Sequence, residues 1–385
     1  MFSSRLDWNL ATNPITRLLE EKRAAGVRIF DLTESNPTAA GFAYPTETIL
    51  AALADPKALR YEPAPAGLPA ARTAVASYYS GRVDPERILL TSSTSDAYAF
   101  LFKLLCDPGS EVLTPRPSYP LFEFLAALES VRPVQYPLAY DGSWHIDFDA
   151  LRRLIAPRTR AVVLVNPNNP TGSFVKQGEL AQLIELCRDH GMAIISDEVF
   201  SDYAIGDDTL RVRSLVDVRE VLTFSLSGLS KIAGLPQMKL GWIVASGPER
   251  ERGEALHRLE LIADTYLSVG TPVQCAAAAL LEARHGIQEQ IRSRVRGNLE
   301  FLRSQIGAGS PWRELNLEGG WYATLQAPRI RTEEEWALVL LAEDNVLVQP
   351  GFYFDFASEA FLVVSMLTPA DAFREGVRRI LARAS

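Results

Sequence analysis

Cysteine and histidine are scarce in this sequence, and no long apolar run occurs. The three cysteines, Cys106, Cys187 and Cys275, are odd in number and far apart. They offer neither a disulfide framework nor zinc-ligand spacing, and their apolar settings read as buried thiols in a reducing compartment. The four histidines (His145, His190, His257, His285) form no metal motif. No apolar stretch approaches the about 18 residues of a membrane span. The N-terminal residues lack the charged-then-apolar order of a secretory signal. Basic residues are outnumbered, 39 Lys+Arg against 47 Asp+Glu, for a net charge of −8. Such a balance makes a poor polyanion binder, so no nucleic-acid partner and no membrane partner is expected. The chain reads as cytoplasmic, and any chemistry it performs must use something other than metals or thiols.

What is present is ordinary in bulk: 385 residues, 47% hydrophobic and 22% charged. That length fits two or three domains of about 100–200 residues each, and a chain this long needs no cross-links to build a core. No internal repeat or low-complexity segment stands out. From about residue 86, apolar β-branched runs alternate with amphipathic segments. RILLTSS, EVLTPRP, RAVVLVNP, MAIISDEV, VLTFSLS and KLGWIVAS read as strands. SDAYAFLFKLLCD, SYPLFEFLAALES and KQGELAQLIELCRDHG read as helices. Continuous apolar strands between helices predict an α/β fold with a mainly parallel sheet covered on both faces. After residue 270 the pattern changes to a long helix and then a short α+β alternation, in which Thr332 and Glu335 form a capping-box signature. We expect a large domain over residues 45–270 and a smaller α+β domain from 1–44 and 271–385.

Right-handed crossovers gather the strand C-termini on one sheet edge, where ligands bind in such folds. The polar strand ends TSST, NPNNPTG, SDEVF and SLSGLSK fall there. Each has an ordinary reading and a chemical one. Lys231 is either a solvated edge lysine or, among Ser225, Ser227 and Ser230, a desolvated amine able to form a Schiff base. Asp197 is either a loop cap or the partner of a protonated heterocyclic nitrogen, since a carboxylate at a buried strand end needs a cation. The prolines of NPNNPTG either make turns or hold an Asn amide towards a ligand. TSSTSDA is either a plain N-cap or an anion site at a helix N-terminus.

Taken together, these segments resemble the pyridoxal-phosphate-dependent aminotransferases of class I/II (aspartate aminotransferase fold, fold type I). RYEPAPAGLPAARTAVASYY, PSYPLF, NPNNPTG, SDEV, SGLSK and VQPGFYF follow in that family's order between residues 60 and 354. The resemblance implies a mainly parallel seven-stranded sheet with flanking helices and a smaller α+β domain. It implies that pyridoxal 5'-phosphate is bound by Lys231, the Schiff-base lysine that also shuttles a proton. Asp197 would pair with the pyridine nitrogen, Asn169 would reach the phenolic oxygen, and Tyr119 would stack on the ring. Ser93, Thr94, Ser95 and Ser230 would surround the phosphate. Tyr61 would reach the neighbouring subunit's phosphate, which implies a homodimer with composite sites. The partners implied are a small amino donor and a 2-oxo acid.

Several positions depart from that family's pattern. Ser93 stands where Gly is usual, and Lys239 stands where an Arg forks onto the phosphate. Lys keeps the charge but loses the bidentate geometry. Phe200 replaces the Tyr that donates to the phenolic oxygen. Val363 stands where an Arg clamps the substrate carboxylate, and residues 352–373 contain no Arg or Lys in any register. Ser35 replaces Gly and, with Asn36, adds polar atoms to the substrate pocket. Asp264 lies near a second substrate-binding Arg of some relatives; it is either a solvated helix-end residue or a partner for a cationic substrate. The expected function is therefore amino transfer with an atypical pocket. A lyase, decarboxylase or racemase using the same cofactor is the alternative, and a non-catalytic ligand-sensing module is a third reading.

Overall fold

The computed structural model describes residues 2–8, 10–267 and 269–383. Eight strands form the main sheet: β1 Ile88–Thr91, β2 Glu111–Arg116, β3 Arg132–Tyr140, β4 Trp144–Ile146, β5 Thr159–Val165, β6 Ala193–Asp197, β7 Thr223–Gly228 and β8 Gly241–Ser246. Their order across the sheet is β1-β8-β7-β6-β5-β2-β3-β4. Strands β7, β6, β5, β2 and β3 pair in parallel. β8 runs antiparallel to both of its neighbours, so β1 shares the direction of the five. This is the expected mainly parallel seven-stranded sheet. The eighth strand is a three-residue antiparallel addition, β4, that closes the β3 edge. Strands β1, β6, β7 and β8 are buried along their whole length; residues 88–90, 193–195 and 242–245 accordingly read as unbroken apolar runs, whereas β7 (TFSLSG) alternates hydroxyl and apolar side chains although both of its faces are covered.

Helices lie on both faces. α1 Thr94–Leu105 and α2 Gln177–His190 follow β1 and β5, α3 Leu229–Ile232 follows β7, and α4 Glu249–Tyr266 packs back on α1. Gly191 ends α2 in the left-handed region at φ 63°, a conformation that costs glycine nothing. The 35-residue helix α5, Thr271–Gln305, serves two cores. Val273, Ala276, Ala277, Leu280 and Leu281 pack with the main-sheet side. Ile287, Ile291, Val295, Leu299 and Leu302 pack with the C-terminal elements.

Those elements are β9 Arg313–Glu314, β10 Tyr322–Gln326, α6 Glu333–Asp344, β11 Gln349–Pro350, β12 Phe361–Ser365 and α7 Ala370–Ala382. The strands form an antiparallel sheet in the order β9-β10-β12-β11. Phe30–Asp31 pairs in parallel with Val346–Leu347, which ties the N-terminal segment to this second layer. Thr332 caps α6 and Glu335 reaches back to its backbone N–H, as the capping-box signature predicts.

The two sheets meet through buried polar contacts. Glu318, just before β10, accepts the Phe174 N–H at 3.0 Å, pairs with Lys176 and lies 3.6 Å from Arg211. Gly172 sits against the same segment: a Cβ there would lie 2.4 Å from the Gly319 carbonyl oxygen, and its φ of +70° also excludes other residues. The strap Gly351–Phe354 bridges the sheets as well, because the Ser118 N–H donates to the Phe354 carbonyl at 3.0 Å.

Candidate active site

The C-terminal ends of β1, β5, β6 and β7 share one edge, so the four polar strand ends read from the sequence meet there. Lys231 stands in the short helix α3 directly after β7. Its Nζ lies 5.8 Å from the Phe200 ring centre and 5.4 Å from that of Trp321, and it forms no hydrogen bond or ion pair with the described residues. Burial pushes its pKa below the usual lysine value, and the charge of Asp197 opposes that shift. A desolvated amine with aromatic neighbours spends more of its time unprotonated, which is the state that attacks a carbonyl. The Tyr203 hydroxyl donates to the Lys231 carbonyl at 2.7 Å and holds the turn in place.

Asp197 ends β6 and is 6% exposed. It accepts from the Val199 N–H and the Tyr98 hydroxyl, both at 3.3 Å. Burial raises its pKa to about 6, while those two hydrogen bonds and Lys231 pull the other way. A buried carboxylate with so few donors is short of a cation, and a protonated ring nitrogen would supply one. Tyr98 escaped the sequence reading because a tyrosine among the buried faces of α1 looks like core. Only its approach to Asp197 from 99 residues away assigns it to the site.

Tyr119 is half-buried and edge-on to Phe122, and burial and Asp197 raise its pKa to about 12. Asn169 is half-buried with its Oδ1 buried and unpartnered. Its neighbour Asn168 braces the loop: Asn168 Oδ1 accepts from the Ser118 hydroxyl at 3.0 Å, and its Nδ2 donates to the Pro117 carbonyl at 3.1 Å and to Thr171 Oγ1 at 2.8 Å. The segments carrying Tyr119 and Asn169 are thus bolted together.

Ser93 is the N-cap of α1, its Oγ accepting the Asp96 N–H at 3.1 Å. Thr94 and Ser95 fill the first turn, where backbone N–H groups are free to meet an anion. Ser227 Oγ is buried without a partner, and Ser230 is half-buried in α3. Gly241 brings the β8 entry against this turn, since a Cβ there would sit 3.1 Å from the Ser93 carbonyl carbon. Lys239, two residues earlier, is exposed with φ 51°. Cup, amide, aromatic ring, carboxylate and lysine therefore fit a phosphorylated pyridine aldehyde by donor chemistry.

Phe200 is 4% exposed and stacks edge-on against Trp321, with ring centres 5.1 Å apart. Ser35 hydrogen-bonds Tyr322, whose hydroxyl is pushed up to about 12 mainly by burial. Asn36 Oδ1 is used locally, accepting from the Thr38 N–H at 3.0 Å and the Thr38 hydroxyl at 2.7 Å. Val363 is fully buried in β12, directly between Thr324 of β10 and Gln349 of β11. Asp264 is exposed in the last turn of α4, and Tyr61 is 75% exposed. In the single chain those two face solvent and not Lys231. Tyr98, Tyr203, Trp321, Tyr322, Thr324 and Gln349 were not singled out by sequence. Among the described residues no group of His, Cys, Asp and Glu could hold a metal ion, and no helix is long and apolar enough to cross a membrane.

Comparison with known proteins gives the same answer over almost the whole chain. The family described as aminotransferase class I and II matches residues 27–380. The glutamate-pyruvate aminotransferase AlaA of Escherichia coli is 30% identical over 361 residues, covering 89% of this chain and 87% of its own. The S-alkyl-thiohydroximate lyase SUR1 of Arabidopsis thaliana is 31% identical over 224 residues, which span 56% of this chain and 48% of that one. A solved aminotransferase from Escherichia coli superposes with a TM-score of 0.88 at 25% identity, covering 99% and 97% of the two chains. That family is generally pyridoxal-phosphate-dependent. With the lysine, carboxylate and asparagine at the edges of three adjacent strands, and a family match that runs from residue 27 to 380, this enzyme belongs to the class I and II aminotransferases.

Proposed function

We propose that this aminotransferase carries pyridoxal 5'-phosphate on Lys231 and moves an amino group from an amino acid or amine to a 2-oxo acid. The observation that carries the reading is the desolvated Lys231 amine beside the cation-poor Asp197 carboxylate. When bound, the protonated pyridine ring of the cofactor draws off electron density from the donor's α-carbon. Asp197 keeps the ring nitrogen protonated, and Tyr98 orients Asp197. Asn169 donates to the phenolic oxygen, and Tyr119 covers the ring face. Ser93, Thr94, Ser95, Ser230 and Lys239 hold the phosphate, with Lys239 supplying charge without an arginine's fork. Lys231 would hold the cofactor and act as the base that moves a proton at the donor's α-carbon.

The same reading makes the protein a cytoplasmic homodimer with shared sites and divides it at residues 45 and 271 into a large and a small domain. Exposed Leu59 and Tyr61, and Leu261, Tyr266 and Leu267 at the end of α4, support an apolar contact with a second copy. The pocket is atypical at Val363, and Asp264 would join it only across that contact. Supplying a donor alone to the cofactor-loaded protein tests the reaction: the visible cofactor band converts stoichiometrically to its aminated form and returns only with a 2-oxo acid. A band that recovers unaided each turnover identifies the lyase alternative, to which the loss of the arginine at 363 lends support.

Phe200 gives a sharper expectation. A phenol at this position, 5.8 Å from Lys231 Nζ by ring centre, would stabilise the anionic phenolic oxygen, and phenylalanine cannot. Phe200→Tyr therefore lowers the pH at which the cofactor's visible band titrates, by about one unit for an effect of about 1.4 kcal/mol. An unchanged or higher midpoint refutes the assignment.

A further inference from the structure

The row of the small sheet that contains Val363 is uncharged, and its side chains are not idle. Opposed residues of an antiparallel pair share a face, so Thr324, Val363 and Gln349 form one row across β10, β12 and β11. Tyr322, two residues before Thr324, lies on that face too. Tyr322 reaches the catalytic centre: it hydrogen-bonds Ser35, raises the pKa of Tyr119, and its ring centre is 6.3 Å from that of Phe200. The row therefore continues from the residues around Lys231.

Two of its three members carry unpaired polar atoms. Thr324 is 3% exposed with its Oγ1 buried and unpartnered, and Gln349 Oε1 is buried and unpartnered as well. Gln349 itself is half-buried, and its nitrogen is open, with no hydrogen bond among the described residues. Among the described residues, Asn169 and Gln349 are the two amides whose oxygen is buried without a partner. An amide with a buried, unpartnered oxygen and an open nitrogen has hydrogen-bonding capacity left to spend on a ligand. The cation expected here is missing. The small sheet's basic residue is Arg313, exposed on the edge strand β9, at the opposite edge from Gln349. An ionised carboxylate buried against Val363 would find no opposing charge on this face of the sheet, and an unpaired buried charge is strongly unfavourable.

We propose that Gln349, with Thr324 and the apolar Val363 beside it, selects an uncharged hydrogen-bonding group on the substrate, so that the preferred amino donor is a primary amine bearing a neutral carboxamide or hydroxyl next to the amine carbon, and not a free α-carboxylate. This deepens the aminotransferase reading and rests on it. Gln349 is a specificity residue and takes no part in proton transfer.

Matched ligands that lack an amino group test the selection without turnover. Calorimetric titration of the cofactor-loaded protein compares lactamide with lactate. The amide binds at least about 10-fold more tightly, since a site that pairs a ligand's polar group rejects the one that leaves charge or polar atoms unmatched. Gln349→Leu, at a half-buried position on the edge strand, abolishes that preference. Gln349→Arg reverses it, and the same variant speeds the cofactor-band conversion by alanine relative to alaninamide. Lactate binding as tightly as lactamide to the native protein, or a preference that survives Gln349→Leu, overturns the proposal. The parent reading fails on a separate sign, the absence of any borohydride-fixed cofactor on Lys231.

Discussion

Replacing Lys231 by alanine lowers the rate of amino transfer by at least about 10⁴-fold, because one residue supplies both the covalent hold on the cofactor and the proton shuttle. Three features of its setting make this loss large. The amine is buried enough for its pKa to fall, it forms no competing hydrogen bond, and Tyr203 fixes its backbone carbonyl at 2.7 Å. Phe200 and Trp321, the rings beside the amine, offer no second base. The cup at the start of α1 and Asp197 remain, so the variant still binds the cofactor non-covalently. Single-turnover absorbance measures the rate, and added methylamine restores part of it by replacing the missing proton acceptor. A variant that retains more than about 1% of native turnover would remove Lys231 from the mechanism.

The second large effect has opposite signs with and without cofactor. In the loaded protein, Asp197→Asn removes one partner of a buried charge pair. Breaking such a pair costs about 3–5 kcal/mol, so cofactor affinity falls by about 10²–10⁴-fold. In the cofactor-free protein the same change stabilises the fold. Burial raises the Asp197 pKa from 3.8 to about 6, so between those values the folded state holds a proton that the unfolded state has released. Stability contributed by the protonated form is present below about pH 4 and is lost as the pH rises through about 6. The rise from 3.8 to about 6 corresponds to about 3 kcal/mol of stability lost by pH 7, reduced to the extent that a protonated Lys231 compensates. Denaturant unfolding of cofactor-free protein from pH 4 to 8 measures this, and Asp197→Asn flattens the profile. A native profile already flat across that range would show that the carboxylate is satisfied without the cofactor.

These two residues also mark how far the sequence could be read. Lys231 and Asp197 were legible because each stands at the end of a fully buried strand, where a charged side chain has a short list of explanations. The parallel sheet was legible for the same reason: strands buried on both faces show as unbroken apolar runs. β4 was not, because three residues of an edge hairpin carry too little pattern to register. The division of α5 between two cores was equally invisible, since a 35-residue amphipathic repeat gives no sign of which partner each stretch meets.

By itself the sequence determined which lysine, which carboxylate, which amide and which helix start stand on one edge of the sheet. Local pattern suffices there, because strand direction and crossover handedness leave few alternatives. It also determined that position 363 has no cation. Only the tertiary structure decided what flanks that position and what surrounds Lys231 and Asp197. Tyr98 comes to Asp197 across 99 residues, Trp321 packs over Lys231, and Thr324 and Gln349 flank Val363 through antiparallel register. Those contacts depend on how two sheets and a shared helix pack, and long-range packing leaves no periodic trace in the chain.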